Sequence, residues 1–172
     1  MSSLASFHLL PAWVVAQLLV AAVPQRVEEP GKGLLFWRTT IRREDALPAF
    51  LEAHAQLGFD FERSGHAFGA LEIMLEARGG PALLAGSFAE ECERVSAARG
   101  ESFVLYDEAA ARSLNAALEA TAPTHADAEA FLRSEYGESD PEDVEALVAA
   151  HRTIRDWLSR VTTSKVGLLR LG

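Results

Sequence analysis

The chain has 172 residues, of which 49% are hydrophobic and 24% are charged, and its formal net charge is −9. This length fits one globular domain with a substantial core, and this composition excludes wholesale disorder. The negative charge and the scattered basic residues argue against a nucleic-acid partner, because binding to phosphates needs a clustered basic surface.

The first predicted elements are a short strand over 2–9 and a helix that begins at Pro11, a residue favoured at the first helical position. The run from residue 9 to 23 is apolar except for Gln17. No Lys or Arg precedes Arg26, and the run is shorter than the roughly 20 residues that span a bilayer. We therefore interpret it as a buried first helix and expect no membrane association.

The middle of the chain predicts a helix at the centre of the domain. Ser64 is placed to cap a helix that runs to Ala77, and apolar residues cover most of its circumference. Its one distinct stripe consists of Gly65, Gly69, Glu72 and Glu76. Before it, the sequence predicts a strand over 33–41, a helix with an apolar stripe at Leu47, Phe50, Leu51, His54 and Leu57, and an extended stretch around Asp60.

The second half of the chain carries clear helix boundaries. In order, we predict a helix over 87–99, a strand over 102–106, a helix over 108–119 capped by Asp107, a helix from a Thr124–Asp127 capping box to Tyr136, a long helix from Asp140 to about Val161, and a strand over 166–171. These elements predict one α+β domain over 1–172. Helices dominate it, and a small sheet of short strands includes both termini.

Few residues occur at the spacings that a catalytic, metal-binding or phosphate-binding site requires. The single cysteine, Cys92, excludes an internal disulfide and fits a reducing compartment, so we expect a cytoplasmic protein. Its glutamate neighbours oppose thiolate formation, so we do not expect a nucleophile. Gly31-Lys32-Gly33 lacks the rest of a phosphate loop, and no Gly-x-Ser-x-Gly or His-Glu-x-x-His motif occurs. We therefore expect no cofactor and no metal, and lean against an enzyme.

The best candidates for a site are four residues around the central helix: Asp60, Glu62, His66 and Glu72. Glu72 and Glu76 form the one acidic pair in strongly apolar surroundings, where burial can separate two pKa values for acid–base work. The alternative is that this pair is the solvent-facing edge of a buried helix.

A tertiary cluster of His8, His54, His66 and His151 also stays open, although a histidine on an apolar face is more often hydrogen-bonded core. Trp13, Trp37 and Trp157 are expected in the core, with Trp157 the candidate anchor for a partner.

The order of elements resembles that of the YfbM-like proteins, small bacterial domains of unknown function. The resemblance rests on Ser6-Phe7-His8-Leu9-Leu10-Pro11, the segment Asp60–Gly79, the helix start at Tyr106-Asp107-Glu108-Ala109-Ala110, and the closing Val166-Gly167-Leu168-Leu169. It implies a mixed α+β fold, and it brings no established activity or site residue.

We expect a small acidic protein-binding module, an immunity-type inhibitor of a toxin or a regulatory partner, that binds a basic protein. This expectation rests on the net negative charge and on the lack of a recognisable catalytic, metal-binding or phosphate-binding motif. Complementary charge speeds association with a partner and sharpens specificity. The competing explanation is that the negative charge only keeps the protein soluble, which accounts for the same composition. The alternative is an enzyme or small-ligand binder with a pocket near the 60–76 helix. A monomer and a homodimer both stay open.

Overall fold

The computed structural model describes residues 4–29 and 40–172, in which helices pack on both faces of a small antiparallel sheet. The strands are β1 (Ala5–Pro11), β2 (Gln25–Glu29), β3 (Thr40–Glu44), β4 (Leu57–Asp60), β5 (Ser102–Tyr106) and β6 (Lys165–Leu171). The helices are α1 (Val15–Ala21), α2 (Leu47–His54), α3 (His66–Ala77), α4 (Ala89–Arg99), α5 (Glu108–Ala120), α6 (His125–Tyr136) and α7 (Pro141–Ser159). This confirms the predicted α+β class, with strands from both ends of the chain in the sheet.

The main sheet has the strand order β4-β1-β6-β5, and all neighbouring strands are antiparallel. The first and last strands, β1 and β6, form its central pair, with Phe7 opposite Leu169. Leu4 and Gly172 extend this pairing by exchanging main-chain hydrogen bonds of 2.7 and 3.0 Å. Both ends of the described chain are therefore tied into the core of the sheet. β2 and β3 form a separate two-stranded ribbon.

Helix α7 lies at the centre of the larger core, on one face of the sheet. Nine of its 19 residues are buried, and it packs against α3, α5 and α6. Trp157 of α7 lies between the rings of Phe7 and Phe68, with centroid distances of 5.4 and 5.6 Å. Because side chains alternate along a strand, Leu10 points to the opposite face. There α1, α2 and α4 enclose a second, smaller core.

Two helices lie differently from the prediction. Pro11 ends β1 instead of beginning a helix, and a 3₁₀ turn over Ala12–Val14 leads into a short α1 that is only partly buried, with Val20 68% exposed. α3 is not the central helix either, because Ile73 is 42% exposed and Gly69 is exposed. The longer and more regular apolar stripe of α7 occupies the centre, and α3 lies at the surface beside it.

Helix boundaries in the second half confirm the predicted caps. The carboxylate of Asp107 accepts the N–H of Ala110 at 2.8 Å, and Thr124 and Asp127 form the reciprocal capping box. Gly100 and Gly137 end α4 and α6 in the left-handed conformation, with φ of 74° and 82°. These local signals depend on residues within one turn, which explains why they can be predicted without tertiary information.

The first half follows its prediction less closely. The predicted strand over 33–41 lies outside the described residues up to position 39, as does the Gly31-Lys32-Gly33 motif, and β3 continues to Glu44. Leu57, predicted on a helical stripe, is the first residue of β4. Over residues 4–29 and 40–172, no helix has both the length and the apolar composition that crossing a membrane requires.

Candidate functional site

The four candidate residues lie on α3 and on the segment that leads into it. Asp60 ends β4, Glu62 follows in the connection, and His66 begins α3; all three are exposed, whereas Glu72 is half-buried. His66 lines two surface grooves, and neither of them includes the other three residues. Of the four, the structure therefore places His66 alone in these grooves.

Glu72 has a structural task. The main-chain N–H of Leu83 donates to its carboxylate at 2.5 Å, and that of Leu84 approaches at 3.5 Å. The hydroxyl of Tyr106 donates to the carbonyl oxygen of Leu83, so the same segment is held from two sides. Burial raises the pKa of Glu72 above its ordinary value. Exposed Glu76 raises the pKa of Glu72 by a smaller amount, and neither glutamate lines either of the two grooves that His66 borders.

A groove of about 520 Å³ runs between α3 on one side and the end of α6 with the start of α7 on the other. We call it the α3–α7 groove. Its apolar lining consists of Ala67, Ala70, Ile73, Leu132 and Leu147. Gly69 also lines it, and a Cβ added there would meet no atom within 4 Å. The α3 side of the groove is therefore open at Gly69, with the small side chains of Ala67 and Ala70 beside it.

Negative charge surrounds one end of the α3–α7 groove. Tyr136, which is 55% exposed, lines it together with Glu138 and Asp143, and no lysine or arginine does. Three further exposed carboxylates lie nearby in the sequence: Glu135 near the end of α6, Asp140 in the connection, and Glu142 in the first turn of α7. We call these five carboxylates the acidic turn. Within the described ranges, none of them forms an ion pair.

A second polar cluster was not predicted from the sequence. The side chain of Arg99, only 8% exposed, forms a bidentate pair with Asp45 at 2.8 and 2.9 Å and also pairs with Glu101. Glu101 pairs in turn with Arg170 of β6 at 3.0 Å. The Arg99 guanidinium holds the pKa of Asp45 below its usual range. These charges satisfy one another and join α4, β6 and the segment between β3 and α2.

Other residues singled out in the sequence also have structural surroundings. Cys92 is buried, and burial raises the pKa of its thiol, which opposes a nucleophilic role. Trp157 is 3% exposed, which confirms the expected core position and leaves it unavailable as an anchor for a partner. Trp13, expected in the core, is 70% exposed because the 3₁₀ turn leaves it on the outside. Trp37 lies outside the described residues.

The histidines do not converge on a common centre. His151 is buried, and its Nε2 lies 2.9 Å from the carbonyl oxygen of Leu118. His54 packs against the rings of Trp13 and Phe50 on the opposite side of the sheet. In the part of the chain that the structure describes, no three His, Cys, Asp or Glu residues are grouped so as to hold a metal ion.

No family model, no curated protein and no solved structure matches this chain. The resemblance to the YfbM-like proteins therefore stays a prediction. Function has to be argued from the geometry of the α3–α7 groove and the acidic turn.

Proposed function

We propose that this protein is a protein-binding module that holds a basic partner at the α3–α7 groove. The observation that carries the proposal is an apolar groove bordered at one end by carboxylates that form no ion pair within the described ranges. Apolar lining supplies contact area, and a carboxylate border selects a cationic protein and speeds the encounter.

The exposed ring of Tyr136 supports the same reading. Its centroid lies 6.3 Å from that of Phe131 in an edge-on arrangement, which leaves most of the ring accessible. The face of an exposed tyrosine attracts a lysine or arginine side chain. A cationic residue of the partner can therefore contact Tyr136 and the acidic turn together.

Binding fits the molecule better than catalysis does. Its prominent buried or half-buried polar groups, Glu72, Arg99 and His151, are each used in an internal contact. Among the described side chains, no buried nitrogen or oxygen atom lacks a hydrogen-bond partner. An inhibitor of a basic toxin, acting in the cytoplasm, is the specific form of module that we propose.

The experiment compares two charge-reversed proteins as bait in lysate of the native host. Glu135→Lys/Glu138→Lys changes the acidic turn, and Glu52→Lys/Glu93→Lys makes the same charge change on exposed positions of α2 and α4, on the opposite face of the sheet. We expect wild type and the control to retain the same basic protein, identified by mass spectrometry, and the acidic-turn variant to lose at least about 90% of it.

Three results would contradict the proposal. The first is retention of no protein by the wild type, and the second is retention of an acidic protein. The third is equal loss from both charge-reversed variants, since that would reflect net charge rather than a defined surface. Circular dichroism and urea unfolding of all three proteins check that the folds are intact.

A small-ligand binder near the 60–76 helix is the second candidate. The observation that favours it is that His66 and Gly69 border two grooves, of about 520 and 580 Å³, which is the size range of small-molecule sites. A thermal-shift screen against metabolites tests it. We expect a stabilising ligand to lose its effect in His66→Ala, and a screen without any stabilising ligand would contradict this candidate.

A further inference from the structure

We infer that the α3–α7 groove accepts an amphipathic α-helix of the partner, with apolar residues on one face and lysine or arginine beside them. This inference rests on the proposed function and adds the conformation and the side-chain pattern of the partner segment. Four features of the groove support it: the helices that form its walls, its length, the space at Gly69 and the position of its charges.

The walls of the groove are helices, and this favours a helical occupant. In a helix interior the main-chain N–H and C=O groups are already paired, so α3 and α7 offer no free edge to which an extended peptide could add as a strand. The edge strands of the main sheet are β4 and β5, and neither strand lines this groove. A helical occupant satisfies its own main chain there, whereas an extended one gains no main-chain pairing from the groove.

The length of the groove fits about two helical turns. From His66 to Ile73 along α3 the rise is roughly 10 Å, at about 1.5 Å per residue. Apolar residues spaced by three or four positions lie on one face of a helix over that distance. Two or three such residues would cover the accessible part of the apolar lining, Ala70 and Ile73.

Gly69 leaves room for close approach. A helix-interior glycine destabilises a helix relative to alanine, and here no neighbouring atom of the described chain requires its small size. A larger side chain at this position would project into open space that the groove shares. Gly69→Leu therefore adds bulk at the groove without disturbing the core, and Ile73→Gln, at a residue that borders this one of the two grooves and not the other, accompanies it as a test.

Charge is confined to one end of the groove. Glu138 and Asp143 lie with Tyr136 at the end formed by α6 and α7, whereas the middle is lined by apolar and small residues. We therefore expect the cationic residues of the partner to lie beside its apolar anchors at that end. A wholly apolar helix would leave these carboxylates without a counter-charge, and an acidic helix would be repelled by them.

The test uses a labelled synthetic peptide of about 14 residues, made of leucine and lysine with the leucines at helical spacing. Fluorescence anisotropy compares wild type with Gly69→Leu and Ile73→Gln. Val20→Gln is the matched control, because Val20 is also an exposed aliphatic residue but lies on α1. We expect the Kd to rise at least about tenfold in the two groove variants and to change less than about twofold in the control.

Further peptides separate the parts of the inference. A version with glutamate in place of lysine should not bind, and a version with a central proline, which cannot form a continuous helix, should bind at least about tenfold more weakly. Equal binding of the proline version would overturn the helical conformation. Equal binding to wild type, Gly69→Leu and Ile73→Gln would overturn the groove as the site.

The same measurements distinguish failure of this inference from failure of the proposed function. Suppose that Glu135→Lys/Glu138→Lys loses the peptide while Gly69→Leu and Ile73→Gln keep it. Binding of a basic partner at the acidic turn is then supported, and a helix in the α3–α7 groove is overturned. If no variant changes binding, both fail. Sedimentation velocity tests whether a second copy of the chain occupies the groove. A dimer that Gly69→Leu dissociates would overturn the inference in favour of self-association.

Discussion

The carboxylate of Glu72 accepts the main-chain N–H of Leu83, eleven residues further along the chain, and so fixes the connection between α3 and α4 against α3. Glu72→Ala would leave that buried donor without a partner, and we expect a loss of about 1–3 kcal/mol in the free energy of unfolding. Glu72→Gln keeps an acceptor oxygen and should lose less. Urea unfolding measures both, with exposed Glu76→Ala as the control. A loss for Glu76→Ala as large as that for Glu72→Ala would contradict the assignment.

Asp45→Asn tests the pair with Arg99. We expect a loss of about 1–2 kcal/mol near pH 7, at the low end because the side chain of Asp45 is 38% exposed. Arg99 lowers the pKa of Asp45 in the folded state, so the stabilisation is present above the unfolded pKa and is lost as the pH falls through the folded pKa. Urea unfolding from about pH 7 to about pH 3 should therefore show the two proteins converging in acid. A constant difference would contradict this.

His151 predicts a second pH dependence, at higher pH. The carbonyl oxygen of Leu118 can only accept, so Nε2 of a neutral His151 donates to it, and burial lowers the pKa of the imidazole. The unfolded chain then takes up a proton, near the ordinary pKa of 6.5, that the folded chain does not. Stability falls as the pH drops below that value, by at most about 1.4 kcal/mol per pH unit for this group.

The measurement is urea unfolding of wild type and His151→Gln between about pH 7.5 and about pH 5. Glutamine preserves an N–H donor and does not titrate, so the slope should be shallower in the variant. His8 is half-buried and its pKa is lowered as well, so part of the slope should remain. Identical slopes in the two proteins would contradict the role of His151.

The local part of the fold could be predicted from the sequence, and the packing could not. The caps at Asp107 and Thr124 involve residues within one turn, so a short stretch of sequence is sufficient to predict them. The burial of α3 was overestimated because composition reports how apolar a helix is and not which helix takes the centre. α7 took it because its nine buried residues form a longer continuous stripe.

The candidate site was also predicted only in part, because the sequence indicates local features of one helix but not how helices pack against one another. The sequence singles out His66 and Gly69, and both border the α3–α7 groove. It does not indicate that Tyr136, Glu138 and Asp143 lie opposite them, because that juxtaposition depends on the angle at which α6 and α7 meet α3. The Asp45–Arg99–Glu101 cluster was missed because its members come from separate elements and only tertiary packing brings Asp45 to Arg99.

Two glycines should respond in opposite ways to the same substitution. Gly167 of β6 lies under the ring of Phe7, and a Cβ there would also approach Cγ2 of Val161 to 2.9 Å, so Gly167→Ala overpacks the core and should cost about 1–3 kcal/mol. Gly69 has no atom of the described chain within 4 Å of such a Cβ, so Gly69→Ala should gain about 0.5–1 kcal/mol. Urea unfolding of both variants measures whether each substitution raises or lowers the free energy of unfolding. Neither glycine has a left-handed backbone, so the room for a Cβ and the preference of a helix for alanine decide the two signs. A loss of stability in Gly69→Ala would contradict the open space on which the α3–α7 groove depends.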